Sequence, residues 1–443
     1  MSRSARDQGL SIQKATTFYF VSDLHLGGDG QLQICDYTDE FVAFLKELEA
    51  EGKETELIIV GDAFGFWELT TVSGTAKLDE IVKYHTPIFE QFKRTGKNIQ
   101  ITLMVGNHDY DLACDPEYAA KLAAFNIKLD TSVSLIREVA GKKIWIEHGQ
   151  QTDSLNASPD YGNPYAQPLG YFITEMAVAG SSRYSAFGKT PWLKDIRSVD
   201  VRQLPDWILS NYFYNEMSPI IRWTMAPFLA LLSVTLLALA AQALKHFGVI
   251  DVNILIQNRL FSSLGFVGDL IRSTLILSMV VWSFVIAVSI PLLFVLRDVR
   301  KTLLRMQILP ETNDVPLYVP EQGYEEHAER IFADDPTVAA YVFGHTHDAF
   351  LTVKNGRAVL NTGTWLKLLK RIPVMFGYLP AVYFPTFRLN YFKVYEENGQ
   401  IALEYKELPK EPARELSLFQ RLLIFRKKPE PGRYVAPKTL LPL

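Results

Sequence analysis

Cysteine is nearly absent from this 443-residue chain. Cys35 and Cys114 stand far apart with no metal-type spacing, so neither a disulfide framework nor a thiolate metal cluster is expected, and a reducing compartment fits. No charge sign dominates: 45 Lys and Arg face 49 Asp and Glu, a net −4, which excludes the global basic field of a nucleic-acid binder. The first fifteen residues, Met1 to Ala15, are polar and lack an apolar centre, so no signal peptide is expected. No internal repeat is visible. Charge itself is missing from two long stretches, Trp223 to Leu244 and Ser273 to Leu296.

Those two stretches explain a composition that is 48% hydrophobic with a mean hydropathy of +0.05. They run for 22 and 24 residues, enough to cross a hydrocarbon core of about 30 Å as helices. Pro227 and Pro291 lie near helix ends, where they are tolerated. The expectation is a transmembrane hairpin over residues 223–296. Arg202 and Arg222 precede it and Arg297, Arg300, Lys301 and Arg305 follow it, so both chain ends are placed in the cytoplasm. Two spans in an inner or cytoplasmic membrane, with the catalytic domain on the cytoplasmic side, are therefore expected.

Outside the hairpin, short apolar strands end abruptly in glycine or polar residues. Thr17-Phe-Tyr-Phe-Val-Ser22 runs into Asp23-Leu-His25, and Leu57-Ile-Ile-Val60 into Gly61-Asp62. Ile101-Thr-Leu-Met-Val105 runs into Gly106-Asn-His-Asp109, and Lys142 to Glu147 into His148-Gly149. Far downstream, Ala339 to Phe343 meets Gly344-His-Thr-His347, and Arg357 to Leu360 meets Asn361-Thr-Gly-Thr364. Helical spacing recurs between strands, over Asp39–Glu51 and Leu78–Thr95, which gives an α/β core. Residues 151–222 read as a loop-rich insertion. Residues 367–393 mix Lys and Arg with Phe and Tyr. They suit either a membrane-facing surface or an aromatic core with a charged rim, and the adjacent hairpin favours the first. Residues 406–443 read as an extended tail.

The strand ends collect Asp23, His25, Asp62, Asn107, His108, Asp109, His148, His345 and His347. A single such residue is usually structural, but five clusters of imidazole, carboxylate and amide in one chain offer more ligands than one ion needs. Imidazole with carboxylate suits Mn, Fe or Zn, of which Mn is favoured.

In their order, Asp23-Leu-His25, Gly61-Asp62, Gly106-Asn-His-Asp109, His148-Gly149 and Gly344-His-Thr-His347 resemble the motifs of the calcineurin-like metallophosphoesterases. The resemblance covers residues 16–150 and 325–366. It implies a sandwich of two mixed β-sheets flanked by helices, here with the two-helix membrane hairpin inserted. The core would then comprise residues 16–150 and 297–405. By the same resemblance Asp23, His25, Asp62 and His347 hold one divalent ion. Asp62, Asn107, His148 and His345 hold a second, with Asp62 bridging. A hydroxide between the ions would attack phosphorus. His108 would serve the leaving group or a phosphoryl oxygen, and Asp109 would orient its ring.

Gly61-Asp-Ala-Phe-Gly-Phe-Trp67 departs from many members, which carry a second Asp where Gly65 stands. In this it is similar to the bacterial UDP-diacylglucosamine pyrophosphatases, although those usually have Arg at the place of His108 and lack a hairpin. The expected function is a membrane-anchored phosphoesterase acting on a phosphate ester or pyrophosphate, of a lipid-linked or nucleotide-sugar substrate, with the bilayer as partner and no nucleic acid. The alternative is a catalytically silent scaffold or sensor of the same fold at the membrane.

Overall fold

Strand β1 (Thr17–Val21) alternates Phe18 and Phe20 on one side with Tyr19 and Val21 on the other, and all four are buried. A strand covered on both faces needs a layer on each, and the rest of the chain provides them. The computed structural model describes residues 15–27, 35–158, 160–183, 195, 198–199, 203–249, 259–305, 321–374, 379–411, 415–425, 427–429 and 432–442. Helix α1 (Thr38–Glu49) buries Phe41, Phe44, Leu45 and Leu48, and β2 (Thr55–Ile59) follows. The single helix expected over 78–95 is two, α2 (Ala76–Tyr84) and α3 (Thr86–Thr95). They break at His85, and Pro87 in the first turn of α3 suits a helix start. Strand β3 (Gln100–Met104), α4 (Asp111–Cys114), α5 (Glu117–Ala123) and β4 (Lys128–Asp130) complete a parallel run β1-β2-β3-β4. Strands β5 (Ser134–Val139) and β6 (Lys142–Glu147) open a second sheet as an antiparallel pair.

The stretch expected to be loop-rich carries more order than its composition suggests. A 3₁₀ turn spans Gln150–Thr152, and α6 (Leu169–Arg183) and α7 (Leu204–Asn211) follow. Contacts divide the chain into two units, one of Met1–Asn211, Leu317–Pro373 and Ala381–Leu443, the other of Tyr212–Pro316 and Val374–Pro380. Residues 151–211 thus group with the first unit. The second unit contains α8 (Pro219–His246), α9 (Arg259–Ser263) and α10 (Gly265–Arg305). Both charge-free stretches are helical. One helix segment, Gly265–Val299, is long and apolar enough to cross a membrane. Within α8 the described residues give a shorter apolar segment, Leu231–His246. The two helices touch through Ala238 and Leu275 and through a 2.9 Å contact of the Thr235 and Ser278 hydroxyls.

Helix α11 (Glu321–Asp334) leads back to β7 (Val338–Phe343), β8 (Phe350–Lys354) and β9 (Arg357–Asn361), giving a five-stranded mixed sheet β5-β6-β7-β9-β8. A two-stranded sheet of β10 (Leu368–Ile372) and β11 (Val382–Thr386) precedes β12 (Leu389–Glu397) and β13 (Gln400–Leu408). The tail is not extended throughout: α12 (Leu418–Leu423) forms, and β14 (Lys438–Leu441) pairs with β13 at the sheet edge. The first sheet is then seven-stranded and mixed, β14-β13-β12-β1-β2-β3-β4. Phe18, Phe20, Ile58 and Val60 meet Ile144, Ile146, Ala340 and Val342 between the sheets. Tyr19, Val21, Leu57 and Ile59 pack on α1 and α3, and Tyr341 and Phe343 pack on α11. Helix, sheet, sheet and helix stack as four layers.

The segment expected to face lipid, 367–393, is used differently. Tyr383, Tyr391 and Phe392 are buried, and Lys367 is enclosed by Asp36, Asp195 and Glu415 at 3.4, 3.0 and 3.2 Å. Arg388 pairs with Glu407, and Lys393 lies over the Tyr19 ring. Strand pairing turns the aromatics inward, so the core-and-rim alternative describes these residues; Phe376 and Tyr378 lie outside the described residues.

One interior pair ties the sheets together. Glu56 of β2 receives two 2.7 Å bonds from the Arg137 guanidinium of β5 and a 2.6 Å bond from the Thr102 hydroxyl. Removing one member of such a pair leaves a buried charge and costs about 3–5 kcal/mol. Glu56→Ala should lower unfolding stability by that amount in chemical denaturation. The double variant Glu56→Leu/Arg137→Met should recover most of it.

Candidate metal centre

Parallel pairing brings the carboxyl ends of β1, β2 and β3 to one edge, and β6, β7 and β9 do the same in the other sheet. The turns beyond those ends are stitched side by side. His25 N–H donates to the Asp62 carbonyl at 2.9 Å, and Gly344 N–H to the His148 carbonyl at 2.9 Å. The turns are sharp enough to force left-handed backbone on residues with side chains. Asp23, His25, Asp62, His345 and His347 have φ of 53°, 46°, 51°, 68° and 61°. Each such residue costs of order 1–3 kcal/mol, so the surroundings must hold it there. Glycine is needed where the turns touch. A Cβ on Gly106 would lie 2.2 Å from Asp62 Oδ1, and one on Gly344 would lie 2.6 Å from Asp23 Oδ2.

All seven sequence-predicted ligands gather here. On one side, Nε2 of His25 and of His347 lie 3.1 Å apart, and His347 Nε2 is 3.2 Å from Asp23 Oδ1. On the other, His148 Nε2 is 3.2 Å from both Asp62 Oδ2 and Asn107 Oδ1. Its Nδ1 donates to the Val60 carbonyl at 2.7 Å, which fixes the tautomer and aims Nε2 at the site. Asp62 lies between the two sides, with Oδ2 also 3.7 Å from His25 Nε2. Three groups have ligand atoms within 4.8 Å of one another: Asp23, His25 and His347; Asp62, His148 and His345; and His25, Asp62 and His108.

Charge makes this a candidate cation site. Asp23 and Asp62 are 0% and 1% exposed, and among the described residues no Lys or Arg pairs with either. Burial opposes their ionisation, yet the His25 and His347 imidazoles beside Asp23 hold it below the usual carboxylate range. The His148 and His108 rings do the same for Asp62. Burial alone would lower His148, but Asp62 and Asp23 push it up to about 10. Asp23 Oδ1 is buried without a hydrogen-bond donor while facing two imidazole nitrogens. Carboxylate, imidazole and amide donors with an orphaned buried oxygen fit divalent transition metals.

The predicted pairing of Asp109 with His108 is not the one formed. The Asp109 carboxylate accepts backbone N–H bonds from Gly106, Ala63 and Phe64 at 2.7, 2.8 and 3.3 Å, locking two of the turns together. Burial and the Asp62 charge push its carboxyl up to about 7. His108 Nδ1 instead lies 3.3 Å from Glu68 Oε1, and the ring packs on Trp67 with centroids 4.0 Å apart. Nothing in the sequence signalled Glu68, which precedes no motif and is placed by the turn after Trp67. Two more residues were missed. Asp153 Oδ2 lies 3.1 Å from His345 Nε2, and Asn156 donates to Asp153 at 2.7 Å while receiving a 3.5 Å contact from Asn107. The Asn361–Thr364 edge braces Asp23: the Thr364 hydroxyl donates to its carbonyl at 2.8 Å, and Thr362 bonds Ser22, which contacts its carboxylate.

A two-sheet sandwich with carboxylates and imidazoles gathered at one edge has the donor set of a divalent-metal site. Residues 16–202 match the calcineurin-like phosphoesterase family; this stretch is a calcineurin-like phosphoesterase domain, and the protein is a metal-dependent phosphoesterase. No curated protein matches the chain by sequence. Among solved structures, a predicted phosphoesterase from Streptococcus pneumoniae is similar at 8% identity and a TM-score of 0.27, over 88% of this chain and 89% of that one. Vps29 from Entamoeba histolytica, complexed with zinc, aligns at 8% identity and 0.26, over 88% and 92%. Vacuolar protein sorting 29 from Cryptosporidium parvum aligns at 11% and 0.25, over 90% and 100%.

Gly106→Ala should expel metal, read as loss of bound ion by elemental analysis. Gly52→Ala, whose Cβ would meet nothing within 4 Å, should leave the content unchanged. Chelation should lower thermal stability, since a ligand at 100 times its Kd contributes about 2.7 kcal/mol.

Proposed function

We propose that the protein is a membrane-anchored phosphoesterase with a dinuclear metal centre, acting on a phosphate ester or pyrophosphate of a lipid-linked or nucleotide-sugar substrate. The observation that carries this reading is Asp62, which is shared between two clusters of ligand atoms and, among the described residues, pairs with histidines and with no Lys or Arg. Asp23, His25, Asp62 and His347 would hold one ion, and Asp62, Asn107, His148 and His345 the other. Such a pair of divalent ions, when bound, clamps phosphate oxygens and lowers the pKa of water. The ion pair is assigned as manganese, with iron or zinc as the other candidates. The hairpin α8–α10, crossing the bilayer twice with both chain ends in the cytoplasm, would hold the site at the membrane face. Support comes from the length and apolarity of Gly265–Val299 and from the Ala238–Leu275 contact between the helices. The Gly61–Trp67 turn, similar to that of the UDP-diacylglucosamine pyrophosphatases, supports an amphiphilic pyrophosphate.

The chain's own residues divide the remaining work. Glu68 fixes the His108 ring through Nδ1, and Trp67 packs along its face. Nε2 is then the nitrogen left to face a phosphoryl or leaving oxygen, and it donates there as the imidazolium, a form that burial opposes and the Asp62 charge favours. Asp109 acts at one remove, holding the Gly106 and Ala63 turns that set His108 and Asp62 in place.

With Mn²⁺ supplied, the purified protein should hydrolyse a generic aryl phosphodiester. Asp62→Ala should abolish turnover and lower bound metal together; unchanged rate and metal content would refute the two-metal assignment. His108→Ala should retain metal while losing about 10²–10⁴-fold in kcat, the usual contribution of a positioned proton donor. A screen of lipid extracts and nucleotide sugars with these variants identifies the substrate.

A further inference from the structure

The tail that the sequence presents as extended holds a short amphipathic helix with its apolar side outward. Helix α12 is closed at its start by a reciprocal cap, in which Ser417 Oγ accepts from Gln420 N–H and Gln420 Oε1 accepts from Ser417 N–H. It is closed at its end by Phe425 at a φ of 49°. Leu416 and Ile424 anchor it to the domain, both buried, and Glu415 just before it pairs with the enclosed Lys367. Leu418, Leu422 and Phe425, at helical spacing on one side, are 78%, 70% and 73% exposed.

The charges around that ridge have one sign. Arg421 lies on the helix and Lys427 and Lys428 follow it, while no Asp or Glu occurs from Leu416 to Lys428. Among the described residues none of these three cations is in an ion pair. Three large apolar side chains beside unmatched cations suit a surface that is apolar below and anionic above, which is the interface of an anionic bilayer. We propose that α12 docks on anionic lipid headgroups, with Leu418, Leu422 and Phe425 entering the acyl boundary and Arg421, Lys427 and Lys428 at the phosphates. The helix is already capped and anchored, so docking orders little new chain. This contact is independent of the metal centre and of the α8–α10 hairpin.

The test uses the full chain in nanodiscs of phosphatidylglycerol or phosphatidylcholine. A nitroxide is attached through Leu422→Cys in a chain carrying Cys35→Ser and Cys114→Ser, with Lys354→Cys as the reference position. Docking predicts that position 422 becomes several-fold more accessible to oxygen and less so to an aqueous nickel chelate on phosphatidylglycerol alone. High salt should weaken the change, and position 354 should not respond. A label at 422 that stays open to nickel on both lipids, or is shielded from both reagents as in a protein contact, overturns the proposal. Hydrogen exchange of residues 417–425 in the unlabelled chain gives the same reading without cysteine changes. It should slow several-fold on phosphatidylglycerol and not in Leu418→Ser/Leu422→Ser/Phe425→Ser; equal exchange on both lipids also overturns it. A chain that leaves the nanodisc when detergent is removed refutes the hairpin instead. Added phosphatidylglycerol vesicles then decide the α12 contact by the same measurements.

Discussion

Two ionised carboxylates buried at one sheet edge are the constraint on which the rest of this domain depends. Asp23 and Asp62 are essentially inaccessible, and the only side chains that form ion pairs with them among the described residues are imidazoles. Leaving such charges uncompensated in a protein interior costs several kcal/mol each. Four histidines and an amide converge on them, and the cluster is one that could hold a metal ion. The same carboxylates also serve as bolts for the backbone. Asp62 accepts from the His108 N–H at 2.8 Å and Asp23 from the His345 N–H at 3.0 Å, so the first bond joins two turns of one sheet and the second joins the two sheets.

The glycines and the left-handed turns follow from that constraint. Carboxylates can reach a common point from separate strands only if the backbones approach until no Cβ fits, as at Gly61, Gly106 and Gly344. The strain of five left-handed ligands is then held by the interlocked turns and by the Asn361–Thr364 brace behind Asp23. Strain of this kind persists where surrounding structure over-determines it, and here the surrounding structure is itself built from ligands.

Much of this was legible in the sequence because it is written in local patterns. An apolar run that stops at Gly or a polar residue, with Asp, Asn or His at the stop, marks both a strand and its carboxyl edge, and six such runs gave the strands that carry the site. Pairings between residues far apart in sequence left no such mark. Glu68 reaches His108 across 40 positions, Asp153 reaches His345 across 192, and Glu56 reaches Arg137 across 81. Asp109 looked like the partner of His108 because it is adjacent in the chain, whereas its side chain turns to backbone donors on a neighbouring loop. The basic and aromatic segment 367–393 misled for a related reason: composition describes a segment's surface only if the segment has one. Strand pairing buried Tyr383, Tyr391 and Phe392, and an exposed apolar and basic combination lies on α12.

The place of the large insertion is itself a consequence of the topology. Strands β6 and β7 are parallel neighbours, so a crossover must join them. The entropic cost of lengthening such a connection grows only with the logarithm of its length. The chain leaving β6 gives His148 first, then Asp153 to His345 and Asn156 toward Asn107. Tyr171 of α6 then comes within 6.0 Å of Trp67, the residue stacked on His108. The first part of the insertion is thus a wall of the metal centre. A change in it would reach His108 through Trp67 and His345 through Asp153, while leaving the candidate metal-binding residues themselves unaltered.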